Sequence, residues 1–516
     1  MAGSWPPEGL IGRSSLVDIR LGMFGPERYR CPASDALKAR RMRPAGSAVW
    51  KPEALDTFTN GPFMAELDRI ELPGDDGESG RFTRPAHDGV RQWTWHALRM
   101  YETAFADSLE LRPAPRHWSY RHRGSRGGGP ASTEYRISAW GRCFESADGR
   151  LRELRLPVNR LRKRTDAERA IAALVVAEGD PDDRLEHVRA VQFALSDGRT
   201  EMLFDGTRAE ALALYRQDGA PAIRALLDRP EYRPGSACTS CRVAPMCPAL
   251  PRAPGLLGIA DRTRPRRSWS PTTGRGHKAC PARAYLRGLR LPVDDSVERS
   301  AAAERGRAVH AFLSARHGQE QRTPCTSSVP ADWVPDGYRL PQSERLLGAR
   351  LLRHHAEVCP LRIADPQSER TPEPLLVFDD PAADLLVLTE PDLLYRERGS
   401  WVWRETKTSA GRRMPRDLLS AYPQLALAVR IIAKGLLAAD RVELELLRPD
   451  GVDLRSLDPF VPETAAAAAA VLRDQVTGWH QERLFEATPS AECDSCEMAR
   501  WCSARRLSEP AQEAPK

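Results

Sequence analysis

A chain of 516 residues is too long for one ordinary domain, and two is the natural expectation. Hydrophobic residues make up 41% and charged residues 28%, so each half has apolar material for a packed core. Basic side chains outnumber acidic ones by 77 to 70, a formal +7 that excludes a histone-like polycation and leaves nucleic acid open as a partner.

Only seven of the basic residues are Lys. With Ala and Pro also abundant, this reads as a coding bias, so Arg richness says little and each Lys is worth inspecting. From the N-terminus, Met1 to Arg13 lacks a basic region followed by an apolar one, so no secretory leader is expected. The longest apolar stretch, Leu425 to Ala439, is broken by Arg430 and Lys434 and is too short to span a bilayer. The expected location is cytoplasmic, with no membrane partner. Disulfides are rare there and grouped cysteines more often hold metal.

In chain order, Cys31 stands alone before Pro32, with a helix expected behind it. Aromatic and basic residues interleave from His117 to Arg123, and Gly124 to Pro130 is expected to form a flexible loop. A second basic run spans Arg160 to Arg164. Cys238, Cys241 and Cys247 then form a C-x2-C-x5-C cluster. Residues 256–267 carry Pro, Gly and Arg without apolar periodicity and read as a linker. Beyond it the pattern restarts, with Cys280 alone before Pro281 and Cys493, Cys496 and Cys502 at the same spacing. Cys31 and Cys280 lie 249 residues apart, and each cluster cysteine lies 255 from its counterpart. We read two copies of one module, residues 1–255 and 268–510, followed by a tail over 511–516. Strand-like and helical segments mix in each, so the expected class is α/β.

Thiolates favour zinc or iron–sulfur clusters. Structural zinc usually pairs two short knuckles, whereas each set here has three cysteines close together and a fourth over two hundred residues upstream. A [4Fe–4S] cluster tolerates that arrangement, because one thiolate binds each iron. Two such clusters are expected, one on Cys31, Cys238, Cys241 and Cys247 and one on Cys280, Cys493, Cys496 and Cys502. Structural zinc is the alternative at each. Closing a loop of this length would be worth several kcal/mol, so the expected role is a staple. Cys143, Cys325 and Cys359 have no partners at ligand spacing and are expected to be isolated thiols.

In the second half, apolar Leu385 to Leu388 leads into Glu390, Pro391 and Asp392, and Trp401 to Trp403 alternates into Glu405, Thr406 and Lys407. On a strand Glu405 and Lys407 share a face, and an adjacent hairpin strand can bring Asp392 beside them. Two carboxylates around one small volume suit a hard cation such as Mg2+ or Mn2+. The Lys407 ammonium can orient or help deprotonate a water, or stabilise charge on a phosphate.

Asp392 followed by Glu405-x-Lys407 resembles the PD-(D/E)XK nuclease signature. Gly306 to His310 resembles the Gly-x-x-x-His helix of the RecB-like branch, which implies His310 as a third metal ligand. Gln424 in Tyr422-Pro423-Gln424-Leu425 falls where that branch has a helical Gln motif touching the substrate. The lone cysteine with its terminal cluster is similar to the iron–sulfur subset, which includes AddB-type and CRISPR-associated exonuclease domains. Two departures are visible: Ala428 stands where the motif usually has Tyr, and the second-strand acid is Glu rather than Asp. The resemblance covers roughly residues 268–510. It implies two tandem restriction-endonuclease-like modules, each a mixed central sheet flanked by helices. It also implies phosphodiester hydrolysis, on single-stranded DNA or DNA ends.

Shifting back by about 250 residues aligns Asp392 with Gly141, Glu405 with Glu153, Lys407 with Arg155, His310 with Asn60, and Gln424 with Ile171 or Ala172. The first copy is therefore expected to keep its cysteines without the active site. It would serve as a DNA platform through its basic runs or as a docking surface for another subunit. No phosphate-binding loop of the G-x-x-x-x-G-K-[ST] type occurs, so any unwinding is expected from a separate helicase. The competing class is a non-catalytic iron–sulfur DNA-binding subunit of a helicase–nuclease complex.

Overall fold

A computed structural model describes residues 5–506, except 13–14, 27–29, 47–50, 52, 73–84, 107–109, 116, 126–131, 181, 230, 295–299, 322, 363–368 and 412. Most of the Gly124–Pro130 loop, the 511–516 tail and parts of the N-terminal stretch lie outside the described residues. The chain divides into two compact units. One is Met1–Leu250 with Leu286–Pro292 and Trp501–Lys516, and the other is Pro251–Tyr285 with Val293–Arg500. Among the described residues no helix is long and apolar enough to cross a membrane.

In the first unit, β1 (Leu16–Arg20) is followed by α1 (Pro32–Ala39), α2 (Gly61–Glu71) and α3 (Asp88–Ala104). Next come β2 (Leu111–Pro113), β3 (Ser119–Ser125), β4 (Ser132–Ser138), β5 (Arg142–Ser146) and β6 (Leu151–Val158). Helix α4 (Asp166–Glu178), β7 (His187–Ala194) and β8 (Thr200–Thr207) complete the core. The main sheet has the order β2-β5-β6-β7-β8, antiparallel except for the parallel β6–β7 pair. A smaller sheet pairs β4 in parallel with β1 and antiparallel with β3.

The parallel β6–β7 pair needs a crossover, and α4 supplies it. Ala170 to Ala177 are apolar all round and fully buried, as expected of a helix enclosed on every side. A Thr165–Glu168 capping box starts the helix.

The second unit contains β9 (Arg267–Trp269), α5 (Ala301–His317), α6 (Gln342–Val358), β10 (Arg370–Pro372), β11 (Leu376–Asp380) and β12 (Leu385–Thr389). These are followed by β13 (Leu393–Glu397), β14 (Ser400–Thr408), α7 (Pro423–Ala433), β15 (Ala439–Arg448), β16 (Gly451–Leu457) and α8 (Pro462–Gln481). Its main sheet runs β10-β13-β14-β15-β16, again antiparallel except for the parallel β14–β15 pair. Its small sheet pairs β12 in parallel with β9 and antiparallel with β11. Strand order and direction thus match the first unit in both sheets. Helix α7 is the crossover; Pro423 opens it, and Leu425 to Val429 are fully buried against α8 and β15.

The expected linker differs from what the structure holds. Ala253, Leu256 and Leu257 are buried in the core of the second unit. Asp379 exchanges backbone hydrogen bonds with Ala253 and Pro251, and the Asp380 carboxylate accepts from the N–H groups of Gly255 and Leu257. Three apolar side chains without a helical or strand period were enough to seat this segment. The 286–292 and 501–506 segments, expected in the second module, group with the first unit.

The basic runs are partly drawn into the fold. His117 to Arg123 is mostly strand: Trp118 is buried, and the His122 ring stacks between Tyr120 and Tyr135. In the second run Arg162 and Arg164 both bond the fully buried Glu168 carboxylate, while Lys163 stays exposed. Burial pushes the Glu168 pKa up, but the two guanidiniums outweigh it and hold the carboxyl below its ordinary 4.5. A depressed folded pKa stabilises above the unfolded value and ceases to do so as pH falls through the folded one. Glu168→Gln is therefore expected to cost about 3 kcal/mol in urea denaturation at neutral pH. The gap from wild type should narrow as pH drops below 4.5.

Candidate active site

Strand β14 pairs antiparallel with β13, and the turn between them is carried by Arg398 and Gly399 at positive φ. Asp392 is the residue just before β13, and it comes level with the end of β14 that carries Glu405 and Lys407. The Lys407 ammonium lies 3.2 Å from Asp392 Oδ2 and 3.1 Å from Glu405 Oε2. It also donates to the Thr406 carbonyl at 3.0 Å. Three oxygens, from Asp392, Glu405 and Thr406, thus converge on the Lys407 ammonium.

Each carboxylate is also fixed from behind. Asp392 Oδ2 accepts from the Thr406 backbone N–H at 2.7 Å, and Glu405 Oε1 accepts from Trp403 Nε1 at 3.1 Å. His310, on α5, places Nδ1 3.1 Å from Asp392 Oδ1. The helix carrying it passes close to β14, where Gly306 faces Thr408. The four residues expected to act together are therefore together, with Asp392 touching both His310 and Lys407.

Burial raises the Asp392 pKa, but the Lys407 charge and then His310 more than reverse this and keep it well below the carboxylate range. For Glu405 burial prevails: its carboxyl is shifted upward, aided by the negative Asp392 and opposed by Lys407. Burial lowers Lys407, yet Glu405 and Asp392 together raise it above its ordinary value. An ammonium so placed can stabilise negative charge.

Asp392, Glu405, the Thr406 carbonyl and His310 form a donor set of hard oxygens and one imidazole, which fits Mg2+ or Mn2+. Gln424 sits at the second position of α7, buried, with Oε1 unpartnered. Among the described residues no hydrogen bond joins it to the charged group. Ala428 is fully buried in the core, so the departure from the Tyr of the motif is met by packing.

The pairing register revises the internal alignment. Arg142 pairs with Arg155 in the first unit as Leu393 pairs with Arg404 in the second. Arg155 lies over the Phe144 ring as Arg404 lies over the Tyr395 ring. Counted this way, Leu156 and Val158, not Glu153 and Arg155, stand where Glu405 and Lys407 do, while Gly141 still matches Asp392. Glu153 instead bonds Arg155 at 2.6 Å. The stretch between β14 and β15 is a few residues longer than that between β6 and β7, so the offset changes along the chain and a uniform shift could not register it.

Cys31, Cys238, Cys241 and Cys247 line one small cavity in the first unit. Backbone N–H groups of Arg233 and Gly235 point at Cys31 and Cys238, and the Ser34 hydroxyl points at Cys241. In the second unit the N–H groups of Thr488 and Ser490 point at Cys280 and Cys493 in the same way. Cys496 and Cys280 are near enough to influence each other electrostatically, while Cys502 falls in the segment grouped with the first unit. The expectation for Cys325 and Cys359 is overturned. They lie with His317 and His355 in one buried group, all four ligand atoms within 4.8 Å of one another. Only the four-residue step from His355 to Cys359, one helical turn, could have hinted at this in the sequence.

Asp392→Asn keeps the size of the side chain and removes its charge. Outer-sphere changes alone alter metal affinity about 10–100-fold, so this variant is expected to weaken Mn2+ binding by more than about tenfold in a titration followed by electron paramagnetic resonance.

No curated protein matches the chain. Among solved structures, the crystal structure of SSO0001 matches at 14% identity and a TM-score of 0.25, covering 46% of this chain and 86% of that one. A candidate exonuclease from Eubacterium rectale matches at 11% identity and a TM-score of 0.29, covering 48% and 90%. Residues 268–503, which include His310, Asp392, Glu405 and Lys407, match the family described as the PD-(D/E)XK nuclease superfamily.

Proposed function

We propose that the second unit is a metal-dependent DNA nuclease that hydrolyses phosphodiester bonds on single strands or DNA ends. What supports this is the convergence of the Asp392 and Glu405 carboxylates and the Thr406 carbonyl on the Lys407 ammonium, with His310 beside Asp392, within a stretch that matches a nuclease superfamily. Asp392, Glu405 and His310 would hold Mg2+ or Mn2+, and the ion would supply a polarised phosphoryl oxygen and a more acidic water. Lys407 stabilises charge developing on the phosphate. Gln424, buried at the start of α7 with a free oxygen, is the proposed contact to substrate.

The first unit is proposed as a second copy of the same module without this chemistry. The shared strand order, the shared cysteine spacing and the paired N–H contacts to sulfur support that reading. A [4Fe–4S] cluster at each cysteine set is the proposed staple, with thiolates stabilised by those donors. A separate helicase would provide any unwinding, in repair, recombination or defence.

Lys407→Ala is expected to reduce Mn2+-dependent degradation of a labelled single-stranded oligonucleotide by about 10²–10³-fold, with DNA binding retained. A wild-type protein that binds the oligonucleotide but leaves it intact would make the chain a scaffold instead. The platform role of the first unit is tested with Arg160→Ala/Lys163→Ala, which spares the two arginines that hold Glu168. Weaker, less salt-dependent DNA binding is expected, and unchanged binding would point to a protein-docking surface.

A further inference from the structure

Behind the catalytic strand, α5 ends at His317 and α6 ends near His355, with Cys359 as its C-terminal cap and Cys325 in the segment between. All four are buried, and neither cysteine is in a disulfide. His317 Nε2 lies 3.3 Å from His355 Nε2, 3.6 Å from Cys325 Sγ and 3.9 Å from Cys359 Sγ. Bond lengths of about 2.0–2.1 Å to nitrogen and about 2.3 Å to sulfur make tetrahedral edges of about 3.3 Å between nitrogens and about 3.6 Å between nitrogen and sulfur. The observed separations match those edges.

From this geometry we infer that His317, Cys325, His355 and Cys359 form a closed Cys2His2 site for one tetrahedral divalent ion of the zinc class, separate from the Asp392–Glu405 position. Two thiolates neutralise a doubly charged ion, so the assembled site carries no net charge into the core. The outer contacts fit as well. His355 Nδ1 lies 2.7 Å from Glu445 Oε1, which leaves Nε2 with its lone pair facing the other ligands. The Cys325 N–H points at Cys359 Sγ at 3.4 Å. Four protein ligands and no open position make the site structural. Four ligand atoms within 4.8 Å of one another enclose a single ion, not a four-iron cluster.

The first unit shows what the ion would replace. Counting along two helices of equal length, Tyr101 and the capping residue Phe105 of α3 stand where His355 and Cys359 stand on α6. Phe193, paired with Pro157, stands where Glu445 is paired with Thr406. These three rings pack against one another, Phe193 edge to face with both others, 5.1–5.6 Å between centroids. An aromatic plug ties helix to sheet in one unit, and the second needs a tie of another kind.

The test uses the full-length chain purified without added metal. Zinc-edge X-ray absorption is expected to show one zinc per chain with two sulfur and two nitrogen neighbours. Nitrogen in the shell separates this site from the all-cysteine sets, whatever those hold. Cys359→Ser is expected to lose the one equivalent of nitrogen-ligated zinc. Co2+ refilling the depleted wild-type protein should give the intense visible bands of tetrahedral thiolate coordination. Wild-type protein with no nitrogen-ligated metal after Zn2+ or Co2+ loading would overturn the inference, as would a folded Cys359→Ser variant with undiminished zinc. Should that variant fail to fold, the wild-type absorption spectrum decides alone.

Discussion

A β-strand turns successive side chains to opposite faces, and on Ser400–Thr408 this constraint divides the chemistry of the second unit. Trp403, Glu405 and Lys407 take one face, where Lys407 meets Asp392. Arg404 and Thr406 take the other, where the parallel neighbour presents Glu443 and Glu445. A slip of one residue would exchange the two sets completely. The buried α7 crossover and the long β14–β15 pairing, continuous from Val402 to Thr408, hold that register against such a slip.

The rear face is as charged as the front, which is unusual for a central strand. Arg404 bonds Glu443 at 2.6 and 2.8 Å and the Val358 carbonyl at 2.7 Å, and Tyr395 also donates to Glu443. Thr406 Oγ1 donates to Glu445 at 3.1 Å, and Glu445 in turn meets His355. Burial raises both glutamates, but Arg404 for Glu443 and His355 for Glu445 reverse this and leave each below the ordinary carboxylate value. Breaking such a pair is far more costly than never having it, so these contacts specify geometry more than they add stability. Their geometric consequence is local: Thr406, whose N–H fixes Asp392, is itself held by its hydroxyl from behind.

What the sequence disclosed and what it hid follow one physical division. Glu405 and Lys407 were legible because a period of two is local, and Asp392 because a short hairpin returns the chain at once. The repeated cysteine spacing was visible at once because a match across 255 residues needs no three-dimensional knowledge. The buried Cys/His group was not, since His317 and Cys325 come together with His355 and Cys359 only when two helices pack against the sheet. The roles of Arg162 and Arg164 were hidden for the same reason. An exposed basic run and a pair of arginines capping a buried glutamate read alike until Glu168 is seen to point inward. The segment after Leu250 misled because Leu256 and Leu257 are buried without any periodicity to announce it.

The two units solve one mechanical problem in two ways. In both, the helix ahead of the main sheet must be tied to the strand that follows the crossover. The first unit does this with Tyr101, Phe105 and Phe193, and its strand carries Leu156 and Val158 where the second has an acid and an amine. Apolar packing of that kind tolerates small displacements, because dispersion contacts are numerous and individually weak. Tighter positioning is required of Asp392, Glu405 and Lys407, since oxygens that share one cation must stay within a few tenths of an ångström. Directional bonds from the rear network to Thr406 meet that requirement where a cluster of rings would not. The polar rear face belongs to the unit with the acidic front face, and the aromatic one to the unit without it.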